Sequence, residues 1–292
     1  MTWWCTGMRW GADGPEFGWW SGAAAERASA VRFGERLAFR VCGPRRCLGV
    51  WRGGRRTPCP GWDAVPERGT RAQCAECAGI DRARSVAADT LADDPRPYRV
   101  YLAWFGEGLV KVGITRADRG AARLLEQGAV AFTWLGEGPL MAARRAEELL
   151  RVGLGVPDRI PYERKRMVRA GLGGTEERGA ELARAHAVAG GLAGWPESLE
   201  RVPCRVVDHA GVFGLGAVDG LDGVVSGVVE GAVVAGVVVA AAGPDLHLVE
   251  AGGRRLAVDA RGLAGWPLEG VGAETVAEVA VREVHGVQGG LF

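Results

Sequence analysis

Four cysteines carry the most readable chemistry in this chain. Cys74-Ala75-Glu76-Cys77 places two thiols two residues apart. That spacing lets both thiolates grip one tetrahedral ion from a tight turn. A second pair must come from upstream, and Cys47 and Cys59 flank Arg52-Gly53-Gly54-Arg55, a turn-rich run able to fold back as a hairpin. Cys47, Cys59, Cys74 and Cys77 are therefore expected to form a zinc knot over residues 42–80. Such a site is closed and structural, with no open position for catalysis. Cys42 is set apart, because Val41-Cys42 continues an apolar strand and a buried thiol behaves as a small hydrophobe. Two other readings stay open: unlinked buried thiols, and disulfides. The start, MTWWCTGMRW, has no basic stretch followed by a continuous apolar run, so no secretory signal is read there. A cytoplasmic, reducing setting is expected, which counts against disulfides.

The second chemical signal is a lysine. Of 36 basic side chains only Lys111 and Lys165 are lysines; the other 34 are arginines. In a chain so biased towards arginine, a retained lysine suggests use, and Lys111 lies in the best-patterned stretch. Tyr98 to Phe105 reads as an aromatic strand, Gly106-Glu107-Gly108 as a hairpin turn, and Leu109 to Ile114 as a second strand. Thr115, with Asp118 three residues on, looks like the start of a helix close to a capping box. That helix is expected to run to Gln127 and stop at Gly128. Ala129 to Leu135 is a third strand and Leu140 to Val152 a second helix, giving β-β-α-β-α over 98–152.

This order resembles the module of the GIY-YIG nucleases. Tyr101, between Val100 and Leu102, is similar to the GIY element, and Lys111-Val112-Gly113-Ile114-Thr115 to the YIG element. The longer string LVKVGITR followed by ARLLEQGA, with the cysteines before it, is similar to the domain-of-unknown-function family 2797. The nuclease resemblance implies a tyrosine near the attacking water at Tyr101, an arginine at Arg123, and at Glu147 a glutamate that holds Mg²⁺ or Mn²⁺. Lys111, Gly113 and Thr115 are the substrate-binding candidates. The chemistry is coherent, since a guanidinium pairs bidentately with phosphate oxygens and a carboxylate-held divalent ion stabilises the leaving oxygen. The chain departs from the nucleases where Lys111 replaces the second tyrosine; lysine binds phosphate as a point charge. No histidine follows Arg123 in the helix, as one does in some relatives. Plain packing competes with each role: Tyr101 as core, Arg123 paired with Glu126, Glu147 paired with Arg144 or Arg151.

These residues must be positioned by an α+β chain of several parts. The hydrophobic fraction of 48% is ample for buried cores, and the charged fraction of 24% is ordinary for a soluble globular protein. Residues 1–41 read as tryptophan-rich strands, 157–190 as arginine-rich helices broken at Gly171 to Gly174, and 201–292 as a Val/Gly-rich β domain of sandwich or barrel type. Within the last, strands are expected over Val202 to Val207, Gly211 to Val218 and five later runs. Gly223 to Gly243 is long enough to span a bilayer, but Glu230 at its centre favours two strands around a turn. Residues 203–292 carry 11 acids against 5 arginines, a balance of −6, so the net +1 leaves +7 on residues 1–202. An anionic partner should therefore meet the N-terminal two thirds. The expected function is a nucleic-acid-binding protein, DNA or RNA, with Mg²⁺-dependent phosphodiester cleavage. A non-catalytic nucleic-acid-binding module with structural zinc and a structural or protein-interaction scaffold are the alternatives.

Overall fold

Strands form where Val, Ala and aromatics are punctuated by glycine turns, and helices where Ala, Leu, Glu and Arg recur at helical spacing. The computed structural model describes residues 2–22, 25–52, 55–83, 94–272 and 274–284. The chain divides into two units, Met1–Ala88 with Gly220–Phe292, and Asp89–Asp219.

The first unit begins with β1 (Trp4–Gly11), β2 (Gly14–Trp20) and β3 (Glu26–Ala30), an antiparallel three-stranded sheet. Strand β4 (Arg36–Val41) leaves that sheet for another, and β5 (Val50–Arg52) pairs with β6 (Arg55–Thr57) as a short hairpin. The turn between β5 and β6, expected at Gly53-Gly54, lies outside the described residues, as does most of the connector read over 81–97. Helix α1 (Ala75–Ala83) carries Cys77 in its first turn.

The second unit holds β7 (Tyr98–Trp104), β8 (Val110–Arg116), α2 (Ala122–Gln127), β9 (Ala131–Gly138), α3 (Leu140–Gly153), α4 (Tyr162–Val168) and α5 (Thr175–Gly191). Two short strands, β10 (Glu200–Arg201) and β11 (Val207–Asp208), both pair with β9. Strand β7 lies between β8 and β9, antiparallel to both. Two details differ from expectation. Thr115 does not open a helix, because it pairs with Arg99 in the sheet and β8 runs on to Arg116. Asp118 takes the Arg116 guanidinium at 3.0 and 2.8 Å instead of capping, so α2 starts only at Ala122. Gly128 ends α2 in the left-handed region at φ 69°, the role its position predicts.

The chain then returns to the first unit with β12 (Gly223–Val225), β13 (Val233–Ala242), β14 (Asp245–Val249), β15 (Arg255–Asp259), β16 (Leu268–Gly270) and β17 (Val281–Glu283). With β4 they make a seven-stranded sheet in the order β16-β4-β13-β14-β15-β12-β17. Cys5 and Phe17 from the small sheet share one apolar core with Phe39, Val234, Leu246 and Trp266. A turn at Glu230-Gly231 separates β12 from β13, yet the two do not pair. No helix among the described residues is long and apolar enough to cross a membrane. The strand expected over Gly211 to Val218 is instead a run of turns. Phe213 N donates to His209 O, Leu215 N to Ala210 O, and Gly214 sits at φ 69°, a conformation glycine reaches without cost. Of the strand expected over Val202 to Val207 only Val207 is in one, at the start of β11; β10 ends before it at Arg201, and Pro203 cannot donate to a ladder.

Candidate functional site

Each unit brings together one set of chemistry-bearing residues. In the first, the sulfurs of Cys47, Cys59, Cys74 and Cys77 all lie within 4.8 Å of one another. A tetrahedral ion with thiolates at about 2.3 Å needs sulfurs just under 4 Å apart, and Cys59 and Cys74 are 3.9 Å apart. None of the four is in a disulfide. Two backbone amides, Cys74 N at 3.2 Å and Gly49 N at 3.4 Å, donate to the Cys47 sulfur and suit a thiolate there. Gly49 is required, because a Cβ would overlap the Thr57 carbonyl. Burial pushes the Cys77 thiol well above its ordinary range, so without a cation that thiol resists ionisation. The donor set fits zinc. Cys42 is exposed rather than buried, its thiol 3.4 Å from the Glu269 carboxylate, because β4 ends at Val41.

The arginine-rich stretch around the knot is partly internal. Arg45 is fully buried, donating to Ala264 O at 2.8 Å and Pro66 O at 2.9 Å. Arg56 lies against the Trp20 and Trp51 rings and pairs with Glu26 at 3.1 Å. These two guanidiniums hold the fold rather than offering charge to a ligand. Arg55 is exposed.

The second set gathers on the β7 face that carries Arg99, Tyr101, Ala103 and Phe105. Register places Lys111 opposite Ala103, Gly113 opposite Tyr101 and Thr115 opposite Arg99, so the motif residues of β8 share that face. Tyr101 is 2% exposed, and its hydroxyl accepts the Gln127 Nε2 proton at 2.9 Å. Gly113 makes room for that phenol, since a Cβ there would overlap the Tyr101 hydroxyl. Thr115 is buried. Lys111 is 8% exposed; its Nζ donates to Asp158 O at 3.1 Å and lies 5.8 Å from the Tyr101 ring centre. Arg123, on α2, is half-exposed and pairs with Glu126 at 3.6 Å. Glu147, on α3, is half-buried. The charges of Arg123 and Glu147 both act on the Tyr101 phenol and on the Lys111 ammonium. Four side chains from four separate elements therefore lie within electrostatic range of one another.

Their protonation follows from burial. Desolvation pulls the Lys111 ammonium down to about 8, helped by Arg123 and opposed by Glu147 and Asp158. Desolvation raises the Glu147 carboxyl, against the pull of Lys111. It also raises the Tyr101 phenol, although Gln127 and Arg123 oppose it. Tyr101 thus keeps its proton at neutral pH.

Three contributors are not evident from motif matching: Gln127, Asp158 and Lys165. Lys165 is 3% exposed, donates from Nζ to Gln127 O at 3.1 Å, and lies 3.8 Å from the Phe105 ring centre and 4.5 Å from that of Tyr162. Lys165 holds Gln127, which in turn holds Tyr101. The rarity that singles out Lys111 applies equally to Lys165 and would have found it. Lys165→Arg is expected to cost the second unit about 1–3 kcal/mol in urea unfolding, because the larger fork must be forced into a packed aromatic slot. An unchanged midpoint would show that the slot has room.

A family model described as Protein of unknown function (DUF2797) matches residues 34–268, about four fifths of the chain. No curated protein and no solved structure shows a match.

Proposed function

The chain belongs to the DUF2797 family, and on that premise we propose, from its own side chains, that it binds nucleic acid and cleaves a phosphodiester at the Tyr101–Lys111–Arg123–Glu147 cluster with Mg²⁺ or Mn²⁺. The observation that carries this reading is the convergence of a phenol, an ammonium, a guanidinium and a carboxylate from β7, β8, α2 and α3. A GIY-YIG-like arrangement of the 98–152 module is part of the same proposal, supported by the antiparallel order β8-β7-β9 and by α2 and α3. So is zinc in the four-cysteine knot, where it would be structural.

Lys111 and Arg123 supply the cationic contacts for a phosphate, the first as a point charge and the second as a fork. The Tyr101 hydroxyl, fixed by Gln127, donates its own proton to orient a water or a phosphate oxygen. Glu147, with Asp158 close enough to act on it, offers the oxygen ligands that a hard divalent ion takes. When bound, such an ion stabilises charge on the leaving oxygen.

Supercoiled and single-stranded nucleic acids incubated with the protein and Mg²⁺ or Mn²⁺ should be nicked. Glu147→Gln should slow nicking by at least about a hundredfold while leaving the fold intact. Undiminished nicking by Glu147→Gln would exclude the site. The burial of Tyr101 and the lysine at position 111 favour a second reading, a phosphate-binding module without hydrolysis. That reading predicts salt-sensitive binding with no cleavage under the same conditions.

A further inference from the structure

The β7 face that carries Tyr101 continues past it into a pocket. Arg99, Trp134, Gly136, Glu137, Val202, Pro203 and Arg205 enclose about 310 Å³. Trp134 lies opposite Tyr101 in the sheet, and the two rings meet edge to face at 6.1 Å. The Trp134 wall is therefore one strand from Tyr101 on the same face, with β7 between it and Lys111 on β8. Trp134, Val202 and Pro203 supply its apolar lining. The Arg99 guanidinium stands 5.3 Å from the indole centre and is held there by Glu137 at 2.6 Å. The far rim is the 202–206 segment, fixed where Arg205 N donates to Thr133 Oγ1 at 3.2 Å and Val202 N to Leu135 O at 3.1 Å. Gly136 lets this rim approach, because a Cβ there would press on Glu200 O and Leu199.

We propose that this pocket is a nucleobase subsite, taking one unpaired base of a single-stranded nucleic acid whose neighbouring phosphate lies at Lys111 and Arg123. The proposal rests on the functional reading above and deepens it. A base matches the pocket in three ways. Its π-face stacks on an indole or on a guanidinium plane, and here the Arg99 guanidinium, itself over the Trp134 ring, makes one such stack for the base to extend. Its edge carries donors and acceptors that the Glu137 carboxylate and the Arg205 guanidinium can meet. The pocket is at the small end of ligand-sized cavities, enough for one nucleoside but not for a duplex. A base still paired in a helix cannot enter, because its face is covered by its neighbours and would first have to be flipped out. The subsite thus selects unpaired strands by geometry rather than by sequence, since every base has a stackable face.

The test compares the intact protein binding a short oligothymidylate with an abasic strand of the same length, at one salt concentration. The two strands share their phosphates and differ only in bases. The base-bearing strand should bind at least about fivefold more tightly, the low end of base–aromatic stacking. That ratio should fall towards one in Trp134→Leu. Because Trp134 also packs on Tyr101 and Phe132, Arg205→Ala at the exposed rim serves as a second variant and should also lower the ratio. Lys111→Ala should weaken both strands alike and leave the ratio unchanged. Equal binding of the two strands by the unmodified protein would overturn the subsite while the phosphate reading stands. A ratio unmoved in both pocket variants would overturn it as well. Binding of neither strand would overturn the phosphate reading and the subsite together.

Discussion

Cys77→Ala is expected to empty the cysteine knot of zinc and to unfold residues 42–80 as a block. The reason is the thinness of the apolar core there. Val50, Val65, Ala72 and Ala264 are its buried members besides the thiols, and the backbone must otherwise pay the entropy of ordering a largely irregular loop. Structural zinc supplies on the order of 10 kcal/mol in comparable small sites, as much as the whole stability of many domains. Losing one of four thiolates therefore removes the main support rather than weakening it. Damage should spread into the seven-stranded sheet's unit, because Arg45 ties the knot to Ala264 O and Arg46 N donates to Gly265 O at 2.8 Å. Metal analysis of the reduced protein should give about one equivalent of zinc. Cys77→Ala should give almost none, with rapid proteolysis within 42–80. Cys42→Ala should match the unmodified protein in both measurements, since Cys42 is exposed and outside the cluster. Less than half an equivalent of tightly held metal in the reduced protein would refute the four-thiolate site.

The knot was legible because Cys74-x2-Cys77 and the turn-rich run between Cys47 and Cys59 picked out four of the five cysteines in 42–80, and those four cluster. Cys42 was misjudged because an apolar residue before it does not extend a strand beyond Val41. That the β7 and β8 residues of the second set share a face was legible for a different reason. Period-two alternation on β7 and β8 determines which residues share a face, so Tyr101, Lys111, Gly113 and Thr115 could be placed together from their numbers. The helix after β8 was misplaced because Thr115 suits a strand as well as an N-cap, and only pairing with Arg99 decides between them. Gln127, Asp158 and Lys165 were not legible from pairing at all. They reach the Tyr101 cluster through α2, α4 and the 158–168 segment, whose approach is fixed by tertiary packing of Ile160, Phe105 and Val168 rather than by local pattern. The 211–218 run misled for a similar reason: its valines and Phe213 resemble a strand, while three glycines let the backbone turn and bury Phe213 instead.

Replacing Lys111 with methionine should make the second unit more stable and the protein less able to bind phosphate. In the unfolded chain the lysine holds its proton up to its ordinary value of 10.5, but in the native protein only up to about 8. Between those values the unfolded state binds more protons, so native stability rises with pH across that window. Below about pH 8 the cost of the buried ammonium is present in full, about 3 kcal/mol. Lys111→Met removes this cost, less what Glu147 loses when its neighbouring cation disappears. The gain should be largest near neutral pH, shrink as pH rises through 8, and vanish above 10.5. Urea unfolding followed through amide exchange in β7 and β8 isolates this unit from the other. Affinity for a phosphate backbone should fall in the same variant, with the salt dependence weaker by about one counterion. On the proposed reading, the contact of Lys111 with a phosphate is what offsets this cost. If Lys111→Met lowers stability, or leaves both affinity and salt dependence unchanged, the ammonium belongs to the fold, and the phosphate site loses its centre.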